Sequence, residues 1–361
     1  MDKATVASYD THAQRWYDER SAGAMREQPR IAAFVHRRSA LDHDGPVVDL
    51  GCGPAWHSPD LGPAVIATDA SAGMLAVARR EHPDIALVRH DLEALPFARG
   101  ALAGVWANKS LQHIPAEHLP LALAELHRVT TPGAPLHLTL TDTSLDDDHD
   151  DPFGARYFSR WSEPRAVAVV EGGGFVVESV EHVDDWIVIE ATRARRLPDF
   201  VRPDLRLLLV GLNPSLYSAD VGVGFARPGN RFWPAALRAE MVSVDRDPLH
   251  AVRNHGIGFT DLVKRATVRA DECSADEFRA GAERVAALCA WLHPHAVCFV
   301  GLSGYRSAVD RRATAGWQPD VFGGVPAYVM PNPSGLNAHT NVDDLADHFR
   351  RALQGPDAVG H

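Results

Sequence analysis

Short apolar segments alternate with longer amphipathic segments along this chain of 361 residues, and the alternation restricts the folds it can form. In the first half the apolar segments are PVVDLG (46–51), AVIATD (64–69), IALVRHD (85–91), GVWAN (104–108) and APLHLTL (134–140). Between the last two lies EHLPLALAELHRV (117–129), which has helical spacing. Strands that alternate with helices predict a parallel, doubly wound α/β sheet, which GGGFVVESV and DWIVIEATR should close with antiparallel strands.

The alternation starts again after RARRLPDFVRP (193–203), a segment with two prolines and clustered arginines. The apolar segments that follow are LRLLLVG (205–211), HAVCFVG (295–301) and PAYVMPNPSG (326–335), with the amphipathic stretch ADEFRAGAERVAALCAWL (275–292) among them. We therefore predict a boundary between Thr192 and Leu197 and two α/β domains, 1–193 and 197–353. Two domains also agree with the usual domain length of roughly 100–200 residues. The acidic loop at 144–154 is expected to be a solvated lid or crossover.

Composition excludes several classes of protein. The sequence has no run of eighteen apolar residues and no signal pattern at its start, which favours a cytoplasmic protein without a membrane partner. The four cysteines form no CxxC pair, so no metal site and no disulfide framework is expected. Residues 1–194 carry 17 Lys and Arg against 29 Asp and Glu, a net charge of −12, whereas residues 195–361 carry 19 against 18. The second half is thus the less repelled by phosphate.

Polar and glycine residues follow the predicted strands of the first half. The first strand contains Asp49 and runs into Gly51 and Gly53, where glycines let the backbone turn and approach a ligand. The second strand ends in Asp69, at about the spacing at which an acidic residue meets ribose hydroxyls. The third ends in Asp91 and Leu92, suited to bracket an adenine, and the fourth in Asn108.

This array resembles the class I S-adenosylmethionine-dependent methyltransferases over roughly residues 5–192. The resemblance implies a Rossmann-like sheet in which the loop of Asp49, Gly51 and Gly53 holds the amino-acid end of S-adenosylmethionine. Asp69 would hold the ribose and Asp91 the adenine amino group, while Asn108 would floor the pocket near the sulfonium. The sequence departs from the family at Ala55, where glycine is commoner.

The alternative interpretation is a nucleotide-binding or vestigial Rossmann-like fold that uses these glycines only to turn. An NAD site favours a further glycine at the start of the helix, whereas Trp56, His57 and Ser58 follow here. The methyl acceptor is unknown. His113, His57 and Tyr9 are candidates to face it, but each residue type is more often found in packing or at the surface.

In the second half two Asn-Pro-Ser segments follow predicted strands. The first strand delivers Asn213, Pro214 and Ser215 and is followed by VGVGFARPGNRFW (221–233). The second delivers Met330 to Asn337. An asparagine just past a strand can hold a water through its side-chain carbonyl, and an aromatic residue such as Phe225 offers a face for a base. A Pro/Ser/Gly loop ending in leucine suits insertion into the gap left by an extruded nucleotide.

These segments, with GIGFTDLVKRATV and EFRAGAERVAAL, closely resemble the mismatch-specific uracil-DNA glycosylase and thymine-DNA glycosylase family from about Leu197 to Leu353. The resemblance implies a three-layer α/β/α domain that acts on double-stranded DNA with mismatched uracil or thymine. The base pocket would contain Phe225, Ser218 and Ser215, and Asn213 would position the attacking water. The wedge loop would use Asn332, Ser334 and Gly335 at the DNA backbone and Leu336 as the wedge.

Two residues depart from the family, Ser215 where glycine is usual and Ala338 where arginine is frequent. Ser218 is the residue of uracil-preferring members, so uracil should be preferred over thymine. No lysine stands in either Asn-Pro-Ser motif, so we expect a monofunctional glycosylase without a cofactor.

The sequence as a whole predicts a bifunctional fusion, a base-excision-repair DNA glycosylase joined to an S-adenosylmethionine-dependent methyltransferase. The rival hypotheses are an active methyltransferase directed to DNA by a catalytically dead glycosylase fold, and two enzymes joined by fusion alone.

Overall fold

The computed structural model describes residues 2–21, 27–143, 152–154, 156–335 and 340–356. The chain folds into two compact units, Met1–Ala194 and Arg195–His361. Most of the acidic loop predicted as a lid or crossover, residues 144–151, lies outside the described residues. Within the described ranges no helix is long and apolar enough to cross a membrane.

The first unit alternates strands and helices, as its sequence pattern predicts. Its helices are α1 (Lys3–Arg20), α2 (Gln28–Ser39), α3 (Ala72–Glu81), α4 (Leu119–Val129) and α5 (Glu163–Gly172). Its strands are β1 (Val47–Leu50), β2 (Val65–Asp69), β3 (Ala86–Arg89), β4 (Gly104–Ala107), β5 (Pro135–Asp142), β6 (Arg160–Trp161), β7 (Phe175–Val183) and β8 (Trp186–Arg193). Short 3₁₀ turns lie at Ser58–Asp60, Leu111–His113 and Ala116–His118.

These strands form one sheet in the order β3-β2-β1-β4-β5-β8-β7, with β6 beside β5. Strands β1 to β5 are parallel, and β8 and β7 close the sheet with antiparallel pairings. The chain leaves β1 toward β2 on one side and returns to β4 on the other. In a doubly wound sheet such a switch point opens a crevice at the carboxyl ends of the two strands. The predicted doubly wound sheet and its antiparallel closure are confirmed.

The second unit repeats the alternation with a smaller sheet. Its strands are β9 (Leu207–Gly211), β10 (Ile257–Asp261), β11 (Val297–Val300), β12 (Gly316–Trp317) and β13 (Ala327–Met330). Its helices are α6 (Leu216–Val221), α7 (Phe232–Arg238), α8 (Pro248–His250), α9 (Ala275–Leu292), α10 (Leu302–Ala308) and α11 (Val342–Gln354). The predicted amphipathic segment at 275–292 is α9, which Ser274 and Glu277 begin with a reciprocal capping box.

The second sheet has the order β10-β9-β11-β13-β12, and only the edge strand β12 runs antiparallel. One face packs on α7 and α11, where Phe232 stacks edge-on against Phe349. On the opposite face Phe299 of β11 contacts Tyr305 of α10 and Phe322. Successive side chains of a strand point to opposite sides of the sheet. Both faces of this sheet are therefore apolar, and helices cover both. The predicted three-layer α/β/α arrangement is confirmed.

Candidate functional sites

A cavity of about 130 Å³ lies in the crevice that the switch between β1 and β4 opens in the first unit. Six of the residues expected to bind the cofactor line it: Asp49, Gly51, Gly53, Asp69, Leu92 and Asn108. They come from the ends of three parallel strands and from the segment after β3, so the fold brings together residues up to about 60 positions apart. The remaining expected residue, Asp91, is exposed and is not among the lining residues.

The position of Asp91 follows from the length of β3, which ends at Arg89 rather than at Asp91. Asp91 Oδ1 accepts a hydrogen bond from the Glu93 amide at 3.0 Å, in a turn after the strand. Leu92 instead is buried and turns toward the cavity. The expectation that β3 itself runs to Asp91 is therefore wrong by two residues.

The turn after β1 requires backbone that most side chains disfavour. Gly51 and Gly53 have φ values of +70° and +54°, and Ala55 has +63°. A Cβ built on Gly51 would lie 2.3 Å from Ser110 Cβ, so a side chain there would collide. A Cβ on Gly53 meets nothing within 4 Å, which leaves this backbone accessible from the cavity. The left-handed backbone at Ala55 favours glycine at this position, and alanine there costs about 1 kcal/mol.

Two carboxylates lie at the cavity, Asp49 buried and Asp69 half-buried. Asp49 is 3 % exposed, and its Oδ2 accepts a hydrogen bond of 2.5 Å from Ser58 Oγ. Burial, together with the charge of Asp69, raises the pKa of Asp49 to about 7. Burial also raises the pKa of Asp69, although the Ser71 and Gly53 amides donate to its two oxygens at 2.8 and 2.9 Å. This electrostatic arrangement suits a ligand that carries positive charge.

The cavity also contains polar groups that a ligand could satisfy. The buried side-chain atoms Asn108 Oδ1, Ser110 Oγ and Trp56 Nε1 have no hydrogen-bond partner among the described residues. Buried polar atoms are nearly always paired in folded proteins, so these three could pair with polar groups of a ligand. Asn108 and Trp56 thus add an acceptor and a donor to the two carboxylates.

Sequence reasoning missed several lining residues. Trp16 on α1 and Trp56 after β1 both line the cavity. Ser58 donates a hydrogen bond to Asp49, a role that the sequence pattern did not indicate. Tyr9 and His113 were candidates to face the acceptor, and both line the cavity. The spacing of the aromatic residues on α1 indicates that they share one face of the helix. It does not indicate which strand end that face covers.

In the second unit the side chain of Asn213 is held in one orientation just past β9. Its Nδ2 donates to Thr267 Oγ1 at 2.7 Å, to the Pro214 carbonyl at 3.2 Å and to the Arg265 carbonyl at 3.3 Å. Carbonyl oxygens only accept, so the amide nitrogen must face them. Its Oδ1 has no hydrogen-bond partner in the described part of the chain and is left as an acceptor.

Phe225 lies against the same strand end. Its ring stacks on Phe232, with centroids 4.2 Å apart and planes inclined by 10°. A Cβ built on Gly211 would lie 3.3 Å from Phe225 Cζ, which places the ring beside the residue that ends β9. Phe225 has a φ of +58°, an unfavourable conformation for an aromatic residue, and such strain is found at functional sites.

Ser215 and Ser218 form a hydrogen-bonded pair at the start of α6. Ser215 is the N-cap residue, and its Oγ accepts from the Ser218 amide at 3.1 Å. The two hydroxyl oxygens are 3.1 Å apart, and Ser218 is 2 % exposed. The departure from glycine at Ser215 thus has a structural role, which is to begin α6.

The segment after β13 is fastened to the segment before α7. The Asn332 Oδ1 accepts from the Ser334 amide at 2.9 Å. Arg231 donates from its backbone to the Pro333 carbonyl at 3.0 Å and from Nη2 to the Ser334 carbonyl at 2.6 Å. Its Nη1 donates to the carbonyl of Thr340, on the far side of the loop tip. Arg231 therefore holds both ends of the segment that carries the expected wedge.

Gly335 lies next to the same support, because a Cβ built on it would lie 2.8 Å from the Gly229 carbonyl oxygen. The expected wedge Leu336, and Ala338 beside it, lie outside the described residues.

Asp261 is a functional candidate that sequence reasoning missed. It ends β10 and pairs in register with Gly211, whose added Cβ would lie 2.3 Å from Asp261 Oδ1. It is 8 % exposed, and burial raises its pKa to about 6. The carboxylate has no hydrogen-bond partner in the described ranges of the chain. A carboxyl group therefore lies beside Gly211, the strand end that Phe225 also adjoins, and Gly211 precedes Asn213 by two residues.

An ion pair keeps the side chain of Lys264 from acting as a nucleophile. Its Nζ lies 2.7 Å from Asp199 Oδ1, and both side chains are buried. Arg284 Nη1 donates to the other oxygen of Asp199, Oδ2, at 2.8 Å. Thr260 Oγ1 donates to Asp199 Oδ1 at 2.6 Å. Burial lowers the pKa of Lys264. The backbone of the next residue, Arg265, contacts Asn213, whereas the lysine side chain is committed to Asp199.

No group of His, Cys, Asp and Glu suited to hold a metal ion occurs within the described ranges. The four cysteines form no disulfide there, and burial raises the pKa of Cys289 to about 12, which makes it an unreactive thiol.

Comparison with known proteins assigns a family likeness to each unit. Residues 47–133 match the family model described as a methyltransferase domain, and residues 198–355 match that of the uracil DNA glycosylase superfamily. Similar solved structures include a protein of Pyrococcus horikoshii OT3 at 20 % identity, which covers 46 % of this chain and 90 % of its own with a TM-score of 0.38.

They also include an S-adenosylmethionine-dependent methyltransferase of Mesorhizobium loti at 19 % identity (46 % and 97 % covered, TM-score 0.36). The DhpI–SAH complex matches at 18 % identity (54 % and 100 % covered, TM-score 0.43). This one chain thus combines a methyltransferase domain with a domain of the uracil DNA glycosylase superfamily.

Proposed function

We propose that residues 197–353 are a monofunctional DNA glycosylase of the mismatch-specific uracil/thymine type, acting in base-excision repair. The observation that carries the proposal is the orientation of Asn213. Three acceptors hold its amide nitrogen, and its carbonyl oxygen remains to accept a hydrogen bond from water. An asparagine that only capped a turn would not need its nitrogen fixed by residues more than fifty positions away.

The proposed reaction is hydrolysis of the N-glycosidic bond. A water held by Asn213 Oδ1 attacks the sugar carbon while the base leaves with the bonding electrons. Because uracil leaves as an anion, N–H donors and a water-excluding pocket suffice without a strong base. Phe225, supported on one face by Phe232, offers its other face to the extruded base.

The wedge role of Leu336 stays a prediction, and Asn332, Ser334 and Gly335 are proposed to meet the DNA backbone. The support of Pro333 and Ser334 by Arg231 is consistent with a loop that must keep its shape against a duplex.

The test is incubation of the purified protein with a duplex that contains uracil opposite guanine. Strands should break only after alkali treatment, because the abasic product keeps its backbone. Breakage without alkali would contradict the monofunctional assignment, which rests on the absence of lysine from both Asn-Pro-Ser motifs and is supported by the pairing of Lys264 with Asp199. No abasic site on any uracil-containing duplex would favour the rival hypothesis, a DNA-binding module without catalysis.

Substrate choice should depend on Ser218. A hydroxyl next to carbon 5 of the base disfavours the methyl group of thymine, and a buried methyl group is worth about 0.8 kcal/mol, or a few-fold in rate. Ser218→Ala should therefore raise thymine release a few-fold and leave uracil release unchanged. Single-turnover rates on the two mismatches measure this.

The matched control for that prediction is Ser215→Ala. It removes the cap of α6, which costs about 1 kcal/mol of stability, but adds no room for a methyl group at Ser218. Equal rates of thymine and uracil release by the unsubstituted protein would contradict the role of Ser218.

Asp261 should make base release depend on pH. We propose that its carboxyl group faces the bound base, where the ionised form opposes the negative charge of the leaving uracil. Since its pKa is about 6, release should be faster below pH 6, where the carboxyl is protonated and donates a hydrogen bond. Asp261→Asn, a neutral donor of the same size, should speed release at pH 8 by about tenfold and flatten the pH profile.

The same substitution should raise the free energy of unfolding at pH 8. The folded-state pKa lies above the ordinary value of 3.8, so ionisation destabilises the fold as pH rises through 4 to 6. Slower release by Asp261→Asn at every pH would instead assign Asp261 to activation of the attacking water.

We propose that residues 1–193 are an S-adenosylmethionine-dependent methyltransferase. The cavity fits a cationic cofactor, since the buried Asp49 and the half-buried Asp69 lie at it and both carboxyl groups have raised pKa values. Asp49 and the Gly51–Gly53 turn would hold the amino-acid end of the cofactor, and Asp69 would bind the ribose hydroxyls. Leu92 would contact the face of the adenine, and Asn108 would form the bottom of the pocket near the sulfonium. When bound, S-adenosylmethionine supplies an electrophilic methyl group, and the protein has mainly to align the acceptor with it.

Cofactor affinity should depend on the protonation of Asp49. Its pKa is about 7, and an ammonium group would pair with the ionised form, so binding below pH 7 must release a proton. Affinity should fall by up to tenfold per unit as pH drops from 7 to 5.5. Calorimetry in two buffers of different ionisation enthalpy measures both the affinity and the released proton.

Asp49→Asn is the control for this measurement. It should bind more weakly at pH 7.5 and lose the pH dependence. An affinity that stays constant between pH 5.5 and 7.5 in the unsubstituted protein would place the ammonium group away from Asp49.

A further inference from the structure

A hydrogen-bonded pair of titratable side chains lines the proposed cofactor cavity but has no part in holding the cofactor. Tyr9 lies on α1, and His113 ends the 3₁₀ turn after β4. Tyr9 Oη is 2.9 Å from His113 Nε2, and both residues line the cavity with Asp49 and Asn108. Because α1 and the turn after β4 are about a hundred residues apart in sequence, the fold alone brings the two groups together.

The surroundings of His113 determine which ring nitrogen carries hydrogen. Its Nδ1 lies 2.7 Å from the carbonyl oxygen of Tyr157. A carbonyl only accepts, so Nδ1 donates, and in the neutral ring Nε2 is an acceptor. Gln112 Nε2, a donor, also lies 3.1 Å from that nitrogen. The phenol hydrogen of Tyr9 therefore points to His113 Nε2, and the imidazole is 4 % exposed.

A positive charge favours movement of that hydrogen to the imidazole. Arg156 Nη1 donates to Tyr9 Oη at 2.9 Å, and its guanidinium also lies 5.3 Å from the centre of the Tyr9 ring. A positive charge on the phenol oxygen stabilises a developing phenolate. The carboxylate of Asp2 also interacts electrostatically with His113.

We propose that Tyr9 is the base that takes the proton from the methyl acceptor, with His113 as the relay behind it, and that the acceptor is a small aromatic hydroxyl compound. This inference rests on the proposed methyltransferase function. Trp16 and Trp56 line the same cavity. Trp56, which stacks on Tyr17, offers such an acceptor a flat apolar surface, whereas the ring of Trp16 lies against the guanidinium groups of Arg20 and Arg156.

Methyl transfer and proton transfer involve only the acceptor, the cofactor and the Tyr9–His113 pair. The acceptor oxygen forms a bond to the methyl carbon as the bond from that carbon to sulfur breaks, and the electron pair stays on sulfur. The acceptor proton passes to Tyr9 Oη while the Tyr9 proton passes to His113 Nε2. His113 becomes an imidazolium whose Nδ1–H remains on the Tyr157 carbonyl, and the proton then leaves to water.

The test compares hydroxyl acceptors that differ in their need for a base. Phenol is protonated at pH 8, whereas 4-nitrophenol is ionised there and needs no proton removed. With radiolabelled S-adenosylmethionine as methyl donor, Tyr9→Phe should slow methylation of phenol at least tenfold and that of 4-nitrophenol less than twofold. His113→Asn should give the same pattern, and Tyr17→Phe is the matched control, because Tyr17 is also on α1 but its hydroxyl binds Glu81.

The outcomes separate this inference from the function on which it rests. Failure to bind S-adenosylmethionine, measured by calorimetry, would overturn the methyltransferase function itself. Binding without methylation of either phenol would overturn the inferred acceptor class. Equal losses on the two phenols in Tyr9→Phe, with binding intact, would overturn the role of Tyr9 as a base.

Discussion

Asn213→Ala should reduce single-turnover release of uracil from a uracil–guanine duplex by about a thousandfold, with binding of S-adenosylmethionine unchanged. The substitution removes the only group proposed to hold the attacking water, and a preorganised polar group at a reacting centre is worth 10²–10³ in rate or more. The rate is measured by rapid quenching with protein in excess over DNA. Thermal unfolding of the variant checks that the second unit remains folded.

Thr267→Val is the graded control for Asn213. It removes the hydroxyl that holds the Asn213 amide at 2.7 Å but leaves the two carbonyl contacts and the asparagine itself. We expect a loss of about tenfold, the value of one hydrogen bond. A folded Asn213→Ala protein that retained release within tenfold would exclude the proposed role.

Asp69→Ala should weaken binding of S-adenosylmethionine by a hundredfold or more. The carboxylate is proposed to bind both ribose hydroxyls, and each hydrogen bond to a charged group contributes about 1.5–3 kcal/mol. The substitution also removes the acceptor of the Gly53 and Ser71 amides, which orders the turn after β1. Calorimetry measures the affinity directly, before any acceptor is known.

Asp91→Ala serves as the comparison within the same site. Asp91 is exposed outside the cavity lining, so its loss should weaken binding by about tenfold or less. If Asp91→Ala had the larger effect of the two, the cofactor would lie nearer the end of β3 than the cavity indicates.

Sequence pattern predicted the parts of both sites that follow directly from strands. Asn213 and the Gly51–Gly53 turn could be located because each comes just after an apolar strand, and carboxyl ends of parallel strands meet at one edge of a sheet. The error at Asp91 arose at the end of such a strand, where an apolar run gives no signal for the last paired residue. Boundaries are set by hydrogen bonding between strands rather than by hydropathy.

Contacts between distant segments could not be predicted. Thr267 holds Asn213 across 54 residues, and Arg231 holds Ser334 across 103. The sequence also does not indicate whether an ionisable side chain is charged or which partner it has. The raised pKa of Asp261 and the pairing of Lys264 with Asp199 both depend on burial, which only the packing of β10 and α9 establishes.

The central claim is that this chain contains two enzymes with separate sites. Its most direct test is to measure uracil release and S-adenosylmethionine binding on the same preparations of the unsubstituted protein, Asn213→Ala and Asp69→Ala. Each variant should lose one property and keep the other at the unsubstituted level. Loss of uracil release in a well-folded Asp69→Ala protein would contradict it.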